Sequence, residues 1–218
     1  MKNMYFAVAL GLALTGCVDN VPNIQVANAF VPTAQCTVNS TGPASPGGAL
    51  DLSISSRYLV GIAVRNTLTS REVVVNDGPL TGTGDQSAIN ITDVELNYEV
   101  VGTGPSLTSD VYQSHIVLPG NATTNSSIIV DLLGGNGREG LLSYLGTGDS
   151  LTVLVRMRLL GKLVGGGKTE SNEITYPIQF YRSGFTCPAG TFLEPTGPCG
   201  GPPGQDNYAP TCTDPDDA

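Results

Sequence analysis

Between residues 49 and 184 apolar side chains recur at every second position, and that period limits what the chain can become. In "VELNYEV" (94–100), Val94, Leu96, Tyr98 and Val100 share one side while Glu95, Asn97 and Glu99 share the other. "LTVLVRMRL" (151–159) repeats the pattern, with Leu151, Val153, Val155, Met157 and Leu159 on one side. "EITYPIQF" (173–180) groups Ile174, Tyr176, Ile178 and Phe180, and "SIIVDLL" (127–133) sets Ile128, Val130 and Leu132 against Asp131. Alternation of β-branched and aromatic residues marks strands with one face buried. Shorter stretches at 49–54, 58–65, 71–75 and 111–118 read the same way, separated by Gly, Asn, Asp and Pro turns. The expected fold is therefore all-β: an immunoglobulin-like antiparallel β-sandwich of seven to eight strands over residues 49–184, with one short helix and a disulfide-stapled irregular tail. Pro177 has no N–H for a ladder, so its strand should run along an edge or carry a bulge.

The flanking segments have other compositions. Residues 1–16 carry one charge, Lys2, then an apolar run from Tyr5 to Leu14. A bilayer span needs roughly 20 such residues, so this is read as a secretory leader and not as a membrane helix. It ends Leu14-Thr15-Gly16-Cys17, which is similar to the bacterial lipobox, in which the cysteine is acylated and the leader removed before it. Cys17 is thus the expected lipidation site, and several acyl chains on one residue anchor stably where one would be marginal. Loss of residues 1–16 removes Lys2 alone among the charged side chains, taking the net charge from -9 to -10. Such an acidic chain suits neither nucleic acid nor an anionic headgroup surface, both of which call for clustered Lys and Arg. Residues 17–48 are rich in Pro, Gly, Ser, Asn and Thr and read as a flexible tether behind the acylated cysteine.

Residues 185–218 hold seven prolines, five acidic side chains and no basic one. Too few apolar residues are present there to build a core, so order must come from crosslinks. Cys187, Cys199 and Cys212 lie in this tail and Cys36 in the tether; in an exported chain the four are expected to form two disulfides. Three connectivities are open, and each ties Cys36 to the tail.

With "AQCTV", "LDLSISSRYLVGIAVRNTL", "INITDVELNYEV", "LTVLVRMRLLGKLVGGGKTESNEITYPIQFY" and "PCGGPPGQD" in view, the chain resembles a family of uncharacterised lipoproteins common in myxobacteria and their relatives. The resemblance covers most of residues 34–212 and implies an envelope lipoprotein; it supplies no activity. The tail segment "SGFTC" lacks the closely spaced cysteines expected of that family, which leaves the partner of Cys187 open.

Two motifs suggest chemistry and fail on their surroundings. "GDSL" (148–151) spells the nucleophile motif of a hydrolase family, with Ser150 as the nucleophile, yet it leads into a strand. A serine needs a neighbouring base, and the single histidine, His115, lies 35 residues upstream on the outward register of its strand. "GNGREG" (135–140) matches a dinucleotide loop, but "REGLLSYLG" gives a helix of barely two turns and no acid follows at the required distance. The cysteine spacings, with no C-x-x-C, do not make a metal site, and no cofactor is expected. The expected function is a non-catalytic envelope module, lipid-anchored in the outer membrane, that binds an envelope protein or a glycan or has a structural part. The alternative is an envelope hydrolase of esters or glycans, built on Ser150 or on the outward carboxylates Asp93, Glu95 and Glu99.

Overall fold

The computed structural model describes residues 21–69, 74–75, 78–79, 85–120 and 125–217. The leader and Cys17 lie outside these residues, as do residues 71–73 of one expected strand. Among the described residues, thirteen strands and one α-helix follow in chain order. They are β1 (Ile24–Phe30), β2 (Gly48–Asp51), β3 (Leu59–Asn66), β4 (Val74–Val75), β5 (Gly78–Pro79), β6 (Ile89–Val100), β7 (Asp110–Leu118) and β8 (Ser126–Asp131). Then come α1 (Gly135–Tyr144), β9 (Ser150–Leu163), β10 (Lys168–Glu170), β11 (Ile174–Tyr181), β12 (Phe192–Leu193) and β13 (Cys212–Thr213).

The fold is an all-β sandwich with one short helix. One sheet is ordered β1-β3-β8; the other is β2-β11-β9-β6-β7, with β10 added to β9. The alternating residues do what their period requires: Val94 and Leu96, Leu151 to Leu159, Tyr176 to Phe180, and Ile128 and Val130 all point into one shared core. One pairing departs from a purely antiparallel sandwich. β2 runs parallel to β11 over Ile178↔Gly48 to Tyr181↔Asp51. That pairing starts one residue after Pro177, so the proline faces β9 through Leu154 and is edge-like toward β2.

The tether boundary has to be corrected. Within the segment read as a flexible tether to residue 48, "IQVANAF" forms β1 and pairs with β3 from Ile24↔Asn66 to Phe30↔Gly61. Ile24 is fully buried. A bulge between Val26 and Ala29 shifts the register, so that Ala29 and Phe30 are both buried and the period of two is broken midway. Only residues 18–23 are then left between Cys17 and the core.

Side chains stitch the two sheets where backbone pairing stops. The Asn172 amide accepts from the Val26 N–H (2.8 Å) and donates to the Val26 carbonyl (3.1 Å). The Gln205 amide does the same for Leu59, at 2.8 and 2.7 Å. The Tyr112 hydroxyl bonds the N–H and the carbonyl of Asp131, both at 3.0 Å. Disulfides join Cys36 to Cys199 and Cys187 to Cys212, so the tail is bound to the sandwich through Cys36.

The registers give the sandwich two distinct ends. Ile24, Asn66, Ile89, Leu118 and Leu163 lie at the end where the chain enters. Asp51, Leu59, Val100, Ser150, Tyr181 and the tail lie at the other. β9, with 14 residues, spans about 46 Å between them.

Candidate functional site

At the end away from chain entry, the tail folds back over β2 and β11. Gly204 has φ +96°, a conformation that side chains rarely adopt, and this turn directs Gln205 and Asp206 into the gap beside β3. The Gln205 backbone bridges to Leu50, while its side chain, buried to 2 % exposure, acts as a surrogate peptide for Leu59. Asp206 accepts from the Ala49 N–H at 2.9 Å and from the Tyr58 hydroxyl at 3.1 Å. The Tyr58 hydroxyl lies 3.3 Å from that of Tyr176, which in turn is 2.7 Å from Ser45 Oγ. Burial first, and then the charge of Asp206, push the Tyr58 phenol well above the usual tyrosine range. Gly48 is required here, because a Cβ at that position would collide with the Tyr58 hydroxyl and the Asp206 carboxylate.

Asp51 sits beside this network. Its carboxylate is 2 % exposed and accepts from the Ser53 N–H (2.9 Å), the Ser183 N–H (3.1 Å) and the Ser183 hydroxyl. None of the four ion pairs among the described residues includes Asp51 or Asp206. The two carboxylates border a groove of about 600 Å³ whose walls include Tyr181, Phe185, Tyr208 and Ile54. The Tyr181 and Tyr208 phenols are both raised, by burial first and then by Asp51 and Asp206 for Tyr181, and by Asp206 for Tyr208. The groove therefore combines half-buried aromatic rings, anchored acceptors and a negative field, the make-up of a small-ligand site. Ser183 donates to the Asp51 carboxylate and has no imidazole beside it.

The residues singled out from sequence are not brought together. Ser150 opens β9 opposite Tyr181, while His115 is exposed on β7, across β6 from the Asp93–Leu160 level of β9. Leu160 is ten residues along β9 from Ser150, which separates the serine from the histidine by on the order of 30 Å. Asp93, Glu95 and Glu99 follow one outer sheet face. Asp93 accepts from Thr92 Oγ1 (2.7 Å), Glu95 from the Asn97 amide (3.4 Å), and Glu99 pairs with Arg156. "GNGREG" begins α1, and the amides that a phosphate would need are occupied: Asp110 accepts from the Asn136 N–H at 3.0 Å and the Gly137 N–H at 2.9 Å. Among the described residues no group of His, Cys, Asp and Glu is placed to hold a metal ion, and no helix is long and apolar enough to cross a membrane.

Asp51, Tyr58, Tyr176, Gln205 and Asp206 were not anticipated as a cluster. Their signal is faint because they come from three distant segments, and "PPGQDNY" reads as loop sequence until Gln205 is seen pairing with a strand. No protein-family model, curated protein or solved structure matches the chain.

Proposed function

We propose that this is an envelope lipoprotein, acylated at Cys17 in the bacterial outer membrane, and that its sandwich is a non-catalytic module binding carbohydrate in the groove between tail and sheet. The observation that carries the reading is the groove itself: Tyr181, Phe185 and Tyr208 around the anchored carboxylates Asp51 and Asp206. Flat aromatic faces take the apolar C–H face of a sugar ring, and the partly exposed Asp206 carboxylate accepts its hydroxyl protons. Two disulfides support residence outside the cytoplasm, where such bonds persist. The leader ending in Leu14-Thr15-Gly16-Cys17 supports the anchor. With only residues 18–23 between Cys17 and β1, the groove stands at the end of the sandwich away from the lipid.

The purified mature chain is titrated with envelope glycan fragments and followed by calorimetry. Saturable binding, weakened about tenfold by Tyr208→Ala, is the expected result, that being the scale of one lost aromatic contact. Saturable binding of an envelope protein in the groove, with none of glycan, would replace the ligand class. Turnover of an ester or glycan substrate that Ser150→Ala abolishes would overturn the non-catalytic reading in favour of the hydrolase.

A further inference from the structure

Lys162 and Lys168 are the only lysines after the leader, and they face each other directly across the β9–β10 hairpin. Like charges placed opposite each other destabilise a sheet pair. Neither ammonium has a carboxylate or hydrogen-bond partner among the described residues. Both are exposed and continue the outer-face row Val117–Asn90 of β7 and β6. Beyond them the hairpin turns through Gly166 and Gly167, both at positive φ, and presents Val164 with 56 % of its surface open. Asp93 and Glu170 share the shallow cavity beside the pair. Each is engaged elsewhere, Asp93 by Thr92 Oγ1 at 2.7 Å and Glu170 by Arg158 at 3.5 Å.

This hairpin lies at the end of the sandwich where the chain enters. Asn23 donates to Thr169 Oγ1 at 3.3 Å, and Ile24 bridges to Ser171. Seven residue steps separate Ile24 from Cys17, so full extension puts the two within about 25 Å. That reach is shorter than the sandwich is long. The opposite end carries Asp51, Asp131, Asp149 and Asp206, while Asp85 and the two engaged carboxylates Asp93 and Glu170 stay on the lysine half.

We propose that the Lys162–Lys168 hairpin is a membrane-docking surface that sits on the anionic headgroups of the leaflet holding the lipid, and so fixes the sandwich upright with its groove outward. The proposal rests on acylation of Cys17. The lipid keeps the protein at the bilayer, and the lysines choose which way it stands. The net charge of -10 left after loss of the leader hides this surface, because attraction to headgroup phosphates falls off within a Debye length and is felt by the nearest charges alone.

The test uses the lipidated full-length mature protein, reconstituted into vesicles of neutral phosphatidylcholine or of phosphatidylcholine with phosphatidylglycerol. An amine-reactive acetylating reagent reports Lys162 and Lys168 by peptide mass spectrometry. The expected result is acetylation about fivefold slower on the anionic vesicles at low salt, the scale of one lysine's attraction to such a surface, with the difference lost in high salt. Lys162→Gln should shrink the protection of Lys168, which crowding by the bilayer alone would leave unchanged. Equal rates on both vesicles, with the protein floating alongside them, would overturn the docking surface and leave the anchor standing. A protein that does not float, with Cys17 recovered unmodified, would overturn the anchor and this proposal with it.

Discussion

Gln205 and Asn172 each replace a missing strand with a single amide. A carboxamide has the donor and acceptor of a peptide unit at nearly the same spacing, so it can close a strand edge without another strand. The two sites differ in burial: the Gln205 contacts with Leu59 are fully enclosed, and those of Asn172 with Val26 are partly open. Gln205→Leu should therefore destabilise by roughly 2–4 kcal/mol, since a buried N–H and carbonyl each lose their partner. Asn172→Ala should cost less, because water replaces the amide; urea unfolding of both variants measures the contrast. The tyrosines give a second test at this scale. Tyr58 and Tyr98 are held well above their usual range by burial, and Tyr112 is pushed up to about 12. Above the unfolded value of 10.0 the unfolded chain loses these protons while the folded chain keeps them. Stability from this source is complete below pH 10 and falls as pH rises through the folded values. Urea midpoints measured from pH 9 to 11.5 should drop, with Tyr58, Tyr98 and Tyr112 ionising only as the protein unfolds; ionisation of these three in the folded protein near pH 10, read by nuclear magnetic resonance of their rings, would contradict their burial.

Among the elements, α1 shows how a strand can complete a helix. Its N-cap is Gly134, which has no side chain to offer, and no acidic residue lies in its first turn. Asp110 at the start of β7 supplies the carboxylate to two free amides, while Tyr98 donates to Asp110 at 3.0 Å and accepts from the Gly134 N–H at 2.9 Å. Asp110→Ala should cost about 1–2 kcal/mol and speed amide exchange across α1 before it affects β6 or β9. The long strands were legible in the sequence because half-burial imposes a period of two, and β6, β9 and β11 carry it almost without interruption. β1 was hidden by its bulge, which places two buried residues in succession at Ala29 and Phe30. The groove was hidden for another reason. Gln205, Asp51 and Tyr58 act through pairing between segments more than a hundred residues apart, which leaves no local period. Asp110 likewise reads as a turn residue until the fold brings it 26 positions forward to Asn136.

For the whole molecule, the two disulfides have unequal tasks. Cys36–Cys199 closes a separation of 163 residues and Cys187–Cys212 one of 25. In the chain-entropy model these correspond to at most about 5 and 3.5 kcal/mol of stabilisation. Their positions matter more than this difference. The first bridge pins the tail beside β1, where the Cys199 N–H donates to the Thr33 carbonyl at 3.0 Å and the Tyr208 hydroxyl to that of Pro32 at 2.8 Å. Tyr208, Asp206 and Gln205 all follow Cys199 closely in sequence, so this bridge holds one wall of the groove in place. The second closes a loop within the tail and leaves that pinning intact. The paired change Cys36→Ser with Cys199→Ser should lower stability, accelerate exchange of the Leu59 amide that Gln205 holds, and abolish binding in the groove. The paired change Cys187→Ser with Cys212→Ser should lower stability less and leave both the Leu59 amide and groove binding close to wild type. Hydrogen exchange read at Leu59, with groove binding measured beside it, separates the two. Equal acceleration in both variants would show that the tail is held as one crosslinked body, without a privileged staple at Cys36.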